Sequence, residues 1–374
     1  SPLMPLHDQI YTGAGGINGD AALAGQDKPY CIGVVFNVSP ILINATTLIY
    51  QVSCSSIRSV VDLRDGGVSL GAGPDYPNYA ALAAASVSPS TYVTCKALGL
   101  IRLGSPVVYA LTGDFEGDND VLSGQSYPST RGQIAWRIAT CLGTQKLFIT
   151  QVDYSDLNTL EQDQTATCGF YWATQPTKAQ ALKEVMQGCL GYFAMRLNGL
   201  LTLGCVKAPT GTAALSVNYP EDFVSEPALQ TYQAPRQATY IGYGRNYTKM
   251  TPNQIAGSVA QTPQAAIWQQ ETRWGSSTNP GLAATFVTAP TIRVAGGFAY
   301  AADANVEAAR QQILMQTRRE RFQLTLNLDP FADLLGKIIQ VNNYPRLGWG
   351  SSRKFLVVGM SFASGIGVTY DLWG

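Results

Sequence analysis

The chain has 374 residues, 46% hydrophobic and only 13% charged, with 25 basic side chains balancing 25 acidic ones. A globular domain usually carries about 25% charged residues, so this surface is poor in charge and expects burial in an oligomer or larger assembly. Neutrality excludes an overall field that would draw in nucleic acid, and the length allows two to four domains.

The opening "SPLMPLHDQIYTG" lacks the basic start and apolar core of a signal peptide. No apolar run reaches the roughly 18 residues that span a bilayer, so cytoplasmic synthesis is expected. Residues 11–29 are rich in glycine, but they contain no GK[ST] and follow no strand, which argues against a phosphate cradle. The segment 1–29 reads as an extended arm or linker. "CIGVVFNVSPILINATTLIYQVS" predicts two strands hinged at Ser39-Pro40, and "IRSVVDLRDGGVSLG" predicts a hairpin turned at Asp65-Gly66-Gly67. A short alanine-rich helix at 77–85 precedes further strands, making 30–128 a β-rich region.

At 129–143 the period changes. Ile134, Ile138 and Leu142 recur at steps of four behind a Ser129/Thr130 cap. A second helix begins near Thr177 and leads into a hairpin turned by Asn198-Gly199, so 129–207 is predicted to be an α/β insert. Residues 208–300 return to strands with frequent Pro, Gly and Thr breaks. From 301 a helix is expected, with Val306, Ala309, Ile313 and Thr317 at helical spacing. Phe322, Leu324, Leu326 and Leu328 then alternate with polar residues as a strand, followed by a turn at Asp329-Pro330 and three more strands to 374. The fold class expected is α+β, mainly β.

Few residues in this pattern suggest chemistry. His7 is the sole histidine, so any Ser–His–Asp or Cys–His arrangement must use it; it is expected to be a solvated tail residue. Seven cysteines (31, 54, 95, 141, 168, 189 and 205) contain no CxxC pair. They could converge on an iron–sulfur cluster only from a distance, and the preferred reading is small buried hydrophobes. Asp114, Glu116, Asp118 and Asp120 alternate as calcium ligands can, but Gln125 stands where an EF-hand has its bidentate glutamate. A solvated loop is preferred, and no cofactor is expected. Arg310, Arg318, Arg319 and Arg321 concentrate positive charge around the change from helix to strand. Glu320 interrupts the run and no aromatic platform accompanies it, so nucleic-acid binding is disfavoured. Cations at a helix C-terminus complement its dipole by about 0.3–1 kcal/mol each, and structural or interface roles are expected. Phe322, Leu324 and Leu326 are the matching apolar candidates.

"RRERFQLTLNL", "GKIIQV" and "FLVVGMSFASGIGVTYDLWG" resemble the C-terminal hub domain of long-tailed bacteriophages. "KPYCIGVVFNVSPILINATTLIYQVS", "VVDLRDGGVSLG", "PNYAALAAA" and "TYVTCKALGLIRLGS" extend the likeness to the central hub, or tail-tip minor tail protein, of siphophages and gene transfer agents. The resemblance implies β-barrel domains of the tail-tube type, at 30–128 and 301–374, decorated by the α/β insert. It also implies a structural, non-enzymatic homotrimer at the tip of the virion tail. Its neighbours there would be the tail tube, distal tail protein, tape measure protein and central spike or fibre. Two other readings remain. A tail-associated peptidoglycan hydrolase would need a glutamate acid in a cleft, from among carboxylates such as Glu161, Asp163, Glu184 and Glu221. A receptor- or glycan-binding module would expose an aromatic patch using Trp268, Trp274 or Trp349, with Trp136 and Trp172 in the core.

Overall fold

The computed structural model describes residues 4–119, 128–327, 334–363 and 367–374. Residues 4–29 are packed against the body, not extended as an arm. Leu6 and Tyr11 are fully buried, and the segment is tied down where Leu6 N–H donates to the Pro176 carbonyl and Lys178 N–H to that of Met4. Burying two large apolar side chains outweighs the turn-forming character of the glycines around them.

Ten elements follow in the first region: β1 (Tyr30–Val38), β2 (Ile41–Asn44), β3 (Ile49–Gln51), β4 (Ile57–Asp65), β5 (Val68–Ser69), β6 (Gly71–Asp75), α1 (Tyr79–Ala84), β7 (Thr91–Cys95), β8 (Leu100–Leu103) and β9 (Leu111–Gly117). The β4–β5 turn falls on Gly66 and Gly67, both at positive φ (59° and 88°), where a side chain would strain the backbone. One sheet has the order β2-β3-β8-β7-β6. Val35, Leu63 and Phe115 of the other sheet meet Tyr50, Tyr92 and Ile101 of this one in a shared core.

The insert contains α2 (Arg131–Thr140), α3 (Tyr154–Asp163), β10 (Gly169–Trp172), α4 (Lys178–Gln187), β11 (Gly191–Met195) and β12 (Leu201–Cys205). Thr130 with Gln133, and Thr177 with Gln180, form capping boxes that start α2 and α4. Helix α3, capped by Asp153, has few apolar residues and was not expected. Strand β10 leaves the insert to pair with β1, completing the sheet β10-β1-β9-β4-β5. The insert is therefore anchored by backbone pairing as well as by its core.

The remaining elements are β13 (Leu215–Asn218), β14 (Ala228–Gln233), β15 (Ala238–Tyr243), α5 (Pro263–Trp268), β16 (Arg273–Thr278), α6 (Leu282–Thr285), β17 (Thr291–Phe298), α7 (Ala301–Met315), β18 (Arg319–Leu326), β19 (Ile338–Asn342), β20 (Ser352–Ala363) and β21 (Gly367–Trp373). β16-β15-β17 form a small sheet, and β13-β19-β20-β21-β18-β14 a larger one. The larger sheet thus draws strands from both sides of residue 300. Phe322, Leu324 and Leu326 join Ile339, Val341 and Tyr370 on its buried face, whereas Leu328 and Asp329-Pro330 lie outside the described residues. Among the described residues β13 and β14 do not pair with each other, so the sheet is open and not a closed barrel. The fold as a whole is α+β and mainly β.

Helix α7 has an unusual polarity. The stripe Val306, Ala309, Ile313 marks a helix correctly but faces outward, with Val306 71% and Ile313 66% exposed. Ala304, Glu307, Ala308, Gln311, Gln312 and Met315 form the buried side.

Candidate functional site

The arginines at the foot of α7 do not form one surface. Arg310 lies along the helix and grips Glu307 through Nε (2.8 Å) and Nη2 (2.7 Å), while donating to the carbonyls of Val206 and Cys189. Arg318 pairs with Glu320 at 2.7 Å and stacks 4.5 Å above Tyr232. Arg319 donates to the Leu314 carbonyl at the end of α7 and covers Trp373. Arg321, on the opposite face of β18 from Phe322, reaches Asp371 at 2.7 Å. Arg319 and Arg321 lie two residues apart and so share one face of β18, but each of the four guanidiniums has its own acceptor within the chain.

The acidic strand is likewise divided among cations. Asp114 on β9 accepts both Nη atoms of Arg64 (2.8 and 2.6 Å) and the N–H of Asn37. Glu116 accepts from Ser59 and lies 3.4 Å from Arg58. Asp118 is fully buried, bound by Arg137 Nε at 2.8 Å and by the Tyr30 hydroxyl. Burial, reinforced by Asp118, raises the Tyr30 pKa well above its ordinary value, so the phenol remains a donor. These three carboxylates serve separate partners and do not converge on one centre; Asp120 lies outside the described residues. Among the described residues no three His, Cys, Asp or Glu side chains group as metal ligands.

His7 is not a solvated tail residue: it is 4% exposed. Its Nδ1 accepts from Gln9 N–H at 3.3 Å, and its backbone N–H donates to Gln175 Oε1. Desolvation lowers its pKa against the opposing pull of Asp27 and Asp8. It lines a cavity of about 430 Å3 together with Tyr30, Cys54, Arg137 and Cys141. Burial pushes the Cys54 thiol up to about 12, which disfavours the thiolate a nucleophile needs.

The glutamates considered for hydrolysis also have structural partners. Glu161 accepts from Thr130 Oγ1 and Gln133 N–H at the start of α2, and burial raises its pKa. Glu184 accepts from Trp172 Nε1 and faces Arg245, while Glu221 lies on the surface. Trp268 and Trp349 are core residues, as are Trp136 and Trp172; Trp274 is exposed, with Arg293 over its ring.

Sequence reasoning missed the most deeply placed cation. Arg131 is fully buried and donates to the carbonyls of Val185 on α4 and Gly296 on β17, with its guanidinium 4.4 Å above Phe298. It clamps the insert to the small sheet. The available signal was an arginine at the first position of a capped helix in a chain that avoids charge.

No protein-family model matches the chain, and no curated protein matches it. Among solved structures it is similar to the tail protein from Neisseria meningitidis MC58, with 10% identity and a TM-score of 0.31 over 53% of this chain and 54% of that one. The match thus spans about half the length of the Neisseria chain. It is also similar to the 43 kDa tail protein of prophage MuSo2 from Shewanella oneidensis, with 11% identity and a TM-score of 0.33 over 92% of each chain. At these TM-scores neither likeness bears on function.

Proposed function

We propose that the chain is a structural protein of a phage tail, assembling as a homotrimeric hub at the distal end, between the tail tube and distal tail protein above and the central spike or fibre below. The resemblance of the C-terminal and N-terminal stretches to tail-tip hub proteins supplies the family. The observation that carries the assembly is the outward apolar stripe of α7. A surface helix normally buries such a stripe, and this one leaves Val306 and Ile313 uncovered. A neighbouring subunit would remove them from water, a gain of about 1.5–3 kcal/mol for each side chain fully buried.

The function proposed is mechanical, and the arginines suit it. Arg64, Arg131, Arg137 and Arg310 each bridge separate segments of the chain, and such pairing resists relative motion. The hydrolase reading is weaker because Glu161 and Glu184 are occupied in holding helices and neighbouring segments. Sedimentation velocity tests the proposal. The wild type should sediment at three times the 40.1 kDa chain mass, and Ile313→Glu should sediment as a single folded chain. A wild type that stays monomeric at high concentration overturns the trimer. Cell-wall turnover lost in Glu161→Gln would reinstate the enzyme.

A further inference from the structure

The insert ends in a groove that the hub reading does not use. It has a volume of about 520 Å3 and lies between α2, α4 and β11, with Leu147, Leu182, Phe193 and Leu201 among its apolar lining. Phe193, Ala194 and Met195 all line it. Leu201 of β12, the cross-strand partner of Met195, lines it as well, so the groove runs over the helix-facing side of the hairpin and opens at the edge of β11.

Among the described residues that edge has no strand beside it, and β11 pairs only with β12. At the hairpin end Arg196 N–H donates to Leu200 O, and at the other end Val206 N–H donates to Leu190 O. In an antiparallel pair the bonded positions alternate. Tyr192 and Ala194 therefore bond across to β12, and the backbone groups of Phe193 and Met195 point outward. Among the described residues none of those outward groups has a backbone partner. An uncovered edge is a template for another strand.

Among the described residues Lys146 and Lys178 line the groove and no carboxylate does, while Asp8, outside the lining, acts on the Lys178 ammonium. Lys178 is only 7% exposed, and its ammonium, with three donors to place, bonds the Leu142 carbonyl at 2.5 Å. Met195, at the mouth, is 53% exposed.

We propose that the β11 edge receives an extended segment of a partner protein in which pairs of apolar residues alternate with pairs of carboxylates, so that the face turned to the groove carries both. The backbone would pair with Phe193 and Met195, the apolar side chains would fill the groove, and the carboxylates would meet Lys146 and Lys178. This site is separate from the α7 stripe and stands whether or not the chain forms a trimer.

The test uses the full chain and a short fluorescein-labelled peptide of repeating Leu-Leu-Glu-Glu, which puts both residue types on each face of an extended strand, read by fluorescence anisotropy. A peptide with Lys in place of Glu is the control. The acidic peptide should bind roughly tenfold more tightly. Met195→Pro removes one outward N–H and no bond to β12, so it should weaken binding by up to about tenfold with circular dichroism unchanged. N-methylating the peptide backbone should do the same without altering the protein, and Lys146→Glu should reduce the preference for the acidic peptide. Equal affinity for both peptides, no binding of either, or indifference to both Met195→Pro and N-methylation overturns the proposal. So does preferential binding to phosphatidylglycerol vesicles, which would make the patch a membrane contact, or self-association lost in Met195→Pro.

Discussion

At the scale of single residues, burial decides behaviour more than residue type does. His7 shows this with a measurable sign. Its folded pKa lies below the ordinary 6.5 because desolvation disfavours the imidazolium. The unfolded chain therefore takes up the proton first as pH falls. The stability His7 contributes is present above pH 6.5 and is lost as pH falls toward the lower folded value. The melting temperature of the wild type should fall more steeply between about pH 7.5 and about pH 5 than that of His7→Gln, which has no proton to gain there. Parallel curves would mean that the ring is solvated after all. The buried arginines follow a related rule. Removing Arg131 would leave two interior carbonyls without a donor, whereas Arg321 works at the surface, where an ion pair contributes about 0–1 kcal/mol.

At the scale of elements, the alternation in β18 can be tested in one pair of variants. Leu324 is fully buried, while the neighbouring Thr325 hydroxyl meets that of Thr369 on the other face of the sheet. Leu324→Asp should abolish folding of the large sheet, since an unpaired carboxylate there costs several kcal/mol. Thr325→Asp should lower the urea midpoint only modestly. Equal losses would show that both faces are buried. Elements with a strong period or a cap were legible from sequence: β1, the β4–β5 turn, α2, α4, the β11–β12 hairpin and β18. Helix α3 was not, because it carries only Leu157 and Leu160 to the core and relies on its Asp153 cap. The packing of residues 4–29 was hidden because two anchors among many glycines give no period. The pairing of β10 with β1 spans more than a hundred residues, and local pattern holds no record of such a partner. The site followed the same division. The arginines around 318 stand out as a run, but which acceptor each one finds depends on strand register and tertiary contacts.

At the scale of the molecule, the cores do not follow the order of the chain. Tyr30 and Ile32 of β1, the insert, Ile241, Phe298 and the alanines of α7 share one hydrophobic cluster, while the large sheet encloses another. Helix α7 joins distant segments through polar side chains: Gln311 reaches the Gly188 carbonyl, and Gln312 reaches Thr239 and the Arg236 carbonyl. Such bonds give little drive to collapse, because water satisfies the same groups equally well until their acceptors are fixed in place. The order of events during refolding follows. The insert and the small sheet must form before α7 has anywhere to dock, so the helix closes the structure and does not nucleate it. Pulsed hydrogen exchange should find the amides of Ala301–Met315 protected after those of α2, α4 and β15. Protection of α7 in the earliest phase would show that its own helical propensity leads the way.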